Sequence, residues 1–469
     1  MLDAVLPTNA PAPGLDRSRR WVILLVCLAP TYMLNDFFFM SYSAAPEISK
    51  AALSPNATLT DSEIDWLYSA SLCAVVVFTL PAAYLLHHHG YIAMLCCVCC
   101  NIAAAWLRYL SVACSSFPIA ILSSVLLGMA TAVIMPAFAS VPAAWFSPRQ
   151  QSLATAVSVQ TWYAGWALGA LLPLGVHDVS SMKTFMLAQA VVVSLTLPLF
   201  LALYSAVPPS LPSPLPSEMG ASAAAFSSSS SSSLSPHHPA LGVAASLRSL
   251  LGNVQFWVHA ISYGILGGIS FAIPAISANT LSDCLDPSLT YVSSQAMWLN
   301  CTFIASGVLG GLLVGALVSE AYEPHAIRSL SVVGTLALGA LILIARSPLL
   351  GELGDTPRLL AVLLVLFSLA GACCLGFFSM GLRVAVRVGG PVPHVYCAGV
   401  TEVMSQLFAV GITQTSVCPV GFQAAAVCAL VVSVSLLLLA RYPKVAGGPI
   451  ASTSSTSPLL VTPDMISNK

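Results

Sequence analysis

Pro208-Pro209-Ser210-Leu211-Pro212-Ser213-Pro214-Leu215-Pro216, followed by an unbroken serine tract from Ser227 to Ser233, interrupts a chain that is otherwise almost continuously apolar. Proline-rich backbone is extended and serine tracts stay solvated, so residues 207–250 read as a flexible linker. Six apolar runs precede it, at about 21–44, 64–87, 91–113, 117–141, 151–176 and 184–206. Six follow, at about 254–279, 291–318, 328–347, 358–383, 395–416 and 419–440. Each is close to the roughly 20 residues a helix needs to cross the hydrocarbon of a bilayer. The alternating ten-residue segments of a membrane barrel do not appear. The expected fold is an all-α membrane protein of twelve transmembrane helices in two six-helix bundles.

Composition agrees with that reading. Of 469 residues, 57% are hydrophobic and 7% charged, and the mean hydropathy is +0.89. No water-soluble domain of this size presents such a surface. The expected units are a cytoplasmic segment 1–20, a first bundle 21–206, the linker 207–250, a second bundle 251–445 and a disordered cytoplasmic tail 446–469. The formal net charge of -1 leaves no basic stripe for nucleic acid. The lipid bilayer is the expected environment, at the plasma membrane rather than an organelle.

Charge placement sets the orientation. With the N-terminus inside, Arg17, Arg19, Arg20, Arg149, Arg248, Arg328, Arg383, Arg387, Arg441, Lys444 and Lys469 face the cytoplasm. Lys50, Arg108, Lys183, Arg346 and Arg358 face out, an excess inside that follows the positive-inside rule. Trp66 and Trp106 then fall at the outer interface, where the indole is favoured. The first apolar run is too long for a signal peptide and reads as a retained span. Asn56-Ala57-Thr58 is a glycan acceptor sequence on the outer side.

The chemistry concentrates in the spans. Asn35-Asp36-Phe37-Phe38-Phe39 places a carboxylate where water is scarce, and such residues turn inward to a cavity or partner. Asp36 and Phe39 share a helix face, and a carboxylate beside an aromatic ring suits an organic cation. Phe37 and Phe38 read as lipid-facing or packing residues. Gln160 and Tyr163 share a face of the fifth span, which fits a cavity lining. The seventh carries Tyr263-Gly264 and Gly267-Gly268, then Pro274, a pattern expected to bend or break the helix. Glu402 and Gln406 lie one turn apart in the eleventh, and only Asp36 and Glu402 among the acids lie well inside spans.

Cysteine and histidine clusters read as structural. Cys96, Cys97, Cys99 and Cys100 crowd an apolar helix, where unpaired cysteine acts as a small hydrophobe. His87-His88-His89 ends the second span in a turn whose adjacent side chains cannot all face one ion, and no metal or other cofactor is expected. Cys114 and Cys284 fall on the outer side, and spacing does not decide whether they pair.

The chain resembles the feline leukaemia virus subgroup C receptor family of the major facilitator superfamily. The resemblance rests on Asn35, Phe37, Tyr42 and Ile64-Asp65-Trp66-Leu67; on Asn101 and Ala105-Trp106; and on Trp145-Phe146-Ser147-Pro148 running into Ala154-Thr155-Ala156-Val157 and Leu171-Leu172-Pro173. It continues through Gly165, Gly169, Tyr263-Gly264-Ile265, Gly268, Gly399, Gln406 and Phe408. The resemblance implies transport of choline and ethanolamine, with haem also attributed to the family. It implies a site at Phe39, Tyr163, Phe271 and Gln406, with Tyr263 as a second aromatic on the seventh span. Of these only Gln406 keeps the family's residue; Phe39 stands for a tryptophan and Tyr163 for a glutamine. Asp36 and Glu402 stand where the relatives are uncharged.

The expected function is therefore transport of a small choline-like cation by alternating access, with haem as the alternative cargo. Two further readings remain open: Asp36 and Glu402 as proton carriers, and a receptor that binds ligand without flux. Phosphate-cradling loops, HExxH and GxSxG are missing from the sequence, so an enzyme is not expected.

Overall fold

The computed structural model of the chain describes residues 13–54, 59–171, 175–204, 243–282, 292–319, 322–344, 356–415 and 419–442. The proline and serine runs of the linker, Asn56, Cys284 and the tail 446–469 lie outside the described residues. Within them the secondary structure is helical, and the long helices are labelled in chain order.

Helix α1 is a single rod built from Pro13–Val22, a π-helical stretch Ile23–Leu28, and Ala29–Ser43. The widened turn sits directly before Pro30, which has no N–H to give, and the Ala29 N–H reaches back to the Leu24 carbonyl. A short helix, Pro46–Leu53, follows. Helix α2 is Asp61–His88, opened by a capping box between Thr60 and Glu63. Helices α3, α4 and α5 are Gly90–Ala113, Phe117–Trp145 and Pro148–Ala170. Helix α6 is Val179–Ser194 continued by Thr196–Leu203. After a short helix Val243–Leu251 come α7 (Val254–Ser282), α8 (Val292–Leu317), α9 (Glu323–Ile344), α10 (Thr356–Val388), α11 (His394–Thr415) and α12 (Pro419–Leu439).

By length and composition, eight of these cross a bilayer: α1, α2, α3, α4, α6, α8, α10 and α11, among the described residues. The others, α5, α7, α9 and α12, have 23, 29, 22 and 21 residues. In α5, Gln150, Gln151 and Gln160 lower the hydropathy, and they do so because that helix faces protein on several sides.

The packing repeats. In the first half α1 packs on α5, α2 on α4, α3 on α4 and α3 on α6. In the second half α7 packs on α11, α8 on α10, α9 on α10 and α9 on α12, the same four pairings moved on by six helices. The halves meet through α5 against α8 and α2 against α11, which the same shift interchanges. Such a repeat relates two bundles by an axis along the membrane normal.

Small residues allow the tightest of these contacts. A Cβ on Gly165 would stand 1.8 Å from the Met33 carbonyl oxygen of α1, and one on Gly268 would stand 2.5 Å from the Phe408 Cβ of α11. Gly165→Val is accordingly expected to destabilise by several kcal/mol, of order 3, through a clash with backbone that cannot move aside. Gly339→Ala, with open space around it, is expected to be neutral or slightly stabilising. Melting temperatures of the two purified variants test the contrast; equal melting would remove the close-approach argument.

Several expectations change here. Helix α7 runs without a break past Pro274, and Gly264 and Gly268 serve close packing on α11. The Gln160 amide is taken up in packing: it donates to the Leu375 carbonyl of α10 at 3.2 Å and lies over Gly311 of α8. Arg108, read as part of an outer belt, is 1% exposed. Trp66 and Trp106 are on the surface as their interfacial reading requires. The last residues of the expected linker are helical, with Ser246 and Leu250 buried.

Candidate functional site

Two adjacent residues of α1 divide the interior between them. Asn35 is fully buried and ties together four helices: its amide donates to Asn101 Oδ1 of α3 at 2.8 Å, while its oxygen accepts from Thr131 Oγ1 of α4 at 2.9 Å and Trp162 Nε1 of α5 at 3.0 Å. With Asn35 fixed, the 100° step to the next residue turns Asp36 to a different neighbourhood. Asp36 is 3% exposed and abuts the backbone of Trp166, and its Oδ2 has no hydrogen-bond partner among the described residues.

From there a run of aromatic rings crosses from one half to the other. The Phe39 ring centroid lies 5.9 Å from Tyr68 and 6.3 Å from Trp162. Trp162 lies 5.3 Å from Tyr163, and Tyr163 lies 6.1 Å from Phe271 and 5.9 Å from Phe378. Phe271 stacks on Phe378 at 5.5 Å and meets Trp166 edge-on at 5.8 Å. Phe378 in turn meets Tyr263 edge-on at 4.9 Å. These spacings are those of favourable aromatic pairs.

The run ends at the second acid. Glu402 is buried; Oε1 accepts from the Tyr263 hydroxyl at 2.5 Å and Oε2 from Ser405 Oγ at 3.1 Å. Gln406, one turn on, donates to Met135 Sδ of α4 at 3.7 Å and to Ser405 Oγ at 3.4 Å, and leaves its Oε1 unpartnered. Tyr163 stands within electrostatic range of both carboxylates. No lysine or arginine contributes to the surroundings of either acid among the described residues.

All seven residues singled out from the sequence, Asp36, Phe39, Tyr163, Tyr263, Phe271, Glu402 and Gln406, are buried. Phe39, Tyr163, Phe271 and Tyr263 belong to the one ring network, Glu402 and Gln406 close one end of it, and Asp36 lies against Trp166 and within electrostatic range of Tyr163 at the other. The sequence reading missed Trp162, Trp166 and Phe378, through which those rings touch. Asn35 and Asn101 had drawn notice only through the resemblance; two asparagines in apolar helices were the available signal for their pairing.

A further cavity, of about 280 Å³, lies between the halves at the end expected to face the cytoplasm. Ala139, Ala143, Gln151 and Thr155 line one side, and Arg383, Arg387 and His394 the other. Glu323, fully buried, forms ion pairs with both Arg383 and Arg387. Nothing in the spacing of these residues had announced the cluster. The histidines 87 to 89 sit at the same end, with His87 against His88 and Tyr396. Among the described residues no three His, Cys, Asp or Glu side chains converge to hold a metal ion.

Helices paired as two repeats around a shared interior are the arrangement of a transporter, and the chain belongs to the Major Facilitator Superfamily, whose family model matches residues 25–398. Within the superfamily it is similar to the feline leukaemia virus subgroup C receptor group. It is 23% identical over 312 residues to the Felis catus choline/ethanolamine transporter FLVCR1, covering 66% of this chain and 53% of that one. It is 22% identical over 406 residues to the uncharacterized MFS-type transporter C09D4.1 of Caenorhabditis elegans, with 84% of this chain and 63% of that one covered. Against choline/ethanolamine transporter FLVCR2 of Homo sapiens it is 22% identical over 396 residues, 84% and 70% of the two chains. The chain thus spans little more than half to about two thirds of the length of these relatives. Among solved structures, the transporter FucP in its outward conformation superposes with a TM-score of 0.60 at 12% identity, over 88% of this chain and 99% of that one, which supports the fold. The protein is a multi-pass integral membrane protein of this superfamily.

Proposed function

We propose that the chain carries a small organic cation of the choline and ethanolamine class across the plasma membrane by alternating access. Twelve spans in two six-helix bundles, joined by the 207–250 linker and with both ends of the chain in the cytoplasm, provide the frame. The observation that carries the reading is a buried run of aromatic rings with a carboxylate at each end and, among the described residues, no opposing base. Phe39, Tyr163 and Phe271 would cage the cation at about 0.5–2 kcal/mol per good contact. Gln406, whose carbonyl oxygen has no partner, would accept from the ligand's hydroxyl or amine. Asp36, whose Oδ2 is likewise unpartnered, would offset the positive charge. The names of the relatives support this cargo class.

A haem reading is less well supported. A porphyrin brings carboxylates of its own, which two buried acids would repel. Uptake of radiolabelled choline and ethanolamine in transport-deficient cells tests the proposal: saturable, mutually competing uptake is expected. Flux at background for both, with surface expression confirmed, would overturn it.

A further inference from the structure

Arg108 is used by nothing in the site above. It lies on α3, 1% exposed, with its guanidinium carbon 4.7 Å from the centroid of the Tyr42 ring and 5.9 Å from that of Phe38, both on α1. Its Nε and Nη1 are buried without a hydrogen-bond acceptor among the described residues. Among the described residues no carboxylate is paired with it, and the Tyr42 phenol is the titratable group whose charge acts on it. Among the described acids at that end, Glu47 is paired with Lys50, Glu63 caps with Thr60 and Asp178 with Ser181, and Asp65 is not free either. A desolvated cation and two unmade hydrogen bonds are costly together, and ring faces offset only part of that cost.

We propose that Arg108, with the hydroxyls of Tyr42 and Ser111 beside it, forms an internal site for one small monovalent anion of the halide class. The hydroxyls lie 2.8 Å apart and Ser111 Oγ also donates to the Arg108 carbonyl at 2.7 Å, so the open donors of the site are the Nε and Nη1 groups of the guanidinium itself. The surroundings favour a small ion: Phe38, Tyr42, Ser111 and Val112 are each 4% exposed or less, so the guanidinium is shut off from solvent on these sides. The charge sets its valence, since one guanidinium is neutralised by one negative charge. The anion would fasten the far end of α1, six residues beyond Asp36, to α3, and this holds whatever the transported cargo is.

The test uses the purified full chain in detergent, with chloride exchanged for gluconate. Adding chloride or bromide is expected to raise the melting temperature by several degrees with saturation, and radiolabelled chloride is expected to bind at one ion per chain. In Arg108→Gln the halide response is expected to vanish. Identical melting in chloride and gluconate, with no saturable radiochloride binding to the wild type, would overturn the proposal. A halide response of undiminished size in Arg108→Gln would do the same. Should that variant fail to fold, bromide displacement of radiochloride from the wild type decides alone: no displaceable ion means no site.

Discussion

Asp36→Asn is expected to lower kcat/KM for a choline-class cation about 100-fold, corresponding to roughly 3 kcal/mol, while raising the melting temperature of the empty protein. The two effects have one cause. In the empty protein the carboxylate is 3% exposed with an oxygen that nothing satisfies, so replacing it with an uncharged isostere relieves a cost. In the loaded protein of the proposed function the same carboxylate would be the counter-charge, so its removal would strand the bound cation in an apolar interior. Glu402→Gln is expected to cost much less, because Glu402 is already held by Tyr263 and Ser405 and an amide oxygen still accepts one of those bonds. Initial uptake rates and thermal melts of the two variants check the ordering. Loss of uptake together with loss of stability in Asp36→Asn would show a structural role instead.

The second large effect concerns the contact between α2 and α11. Gln414 in the last turn of α11 donates to Ser69 Oγ of α2 at 2.7 Å, at the end of the molecule expected to face outward. Ser69→Cys combined with Gln414→Cys, bridged by a short bis-methanethiosulfonate, is expected to reduce uptake to background, and dithiothreitol is expected to restore it. The single variants lose one exchangeable hydrogen bond, about 1 kcal/mol, and should transport nearly normally. Alternating access requires this rim to part, whereas a channel or a non-transporting receptor does not. Unchanged uptake with bridging complete on a gel would sink the rocking mechanism. An impermeant reagent acting from outside intact cells also checks the orientation drawn from the arginines.

Much of the helical architecture was legible because hydropathy over twenty residues is a strong signal. What hydropathy cannot give is the direction a side chain faces. Arg108 looked interfacial from its position near the end of α3, yet it points into the first half. Gln160 looked like a lining residue because it shares a face with Tyr163, but the neighbouring α8 offers Gly311 at that point and the amide fills the space. The glycines of α7 looked like a hinge, whereas they seat α11. The same limit hid Trp162, Trp166 and Phe378: an aromatic in a membrane helix reads alike whether it meets lipid, core or ligand, and only its partners distinguish the three. The buried acids were visible because a carboxylate in an apolar run has few inexpensive places to go. Glu323 escaped because it begins its helix beside a loop, where an acid is ordinary; its complete burial between Arg383 and Arg387 is a property of the folded chain alone.

The Gln160 contact has a mechanical meaning. Its amide touches both α8 and α10 roughly midway along α5, with Ser152 bonded to the Gly315 carbonyl two turns toward one end and the Ser69–Gln414 pair near the other. If the halves rock as proposed, a tether at mid-length would act as a fulcrum: tilting about it would lengthen one rim contact while compressing the other, so both rims would not open in the same stroke. A membrane carrying this protein would then stay sealed to ions through the whole cycle, with no gate needed beyond the lever itself.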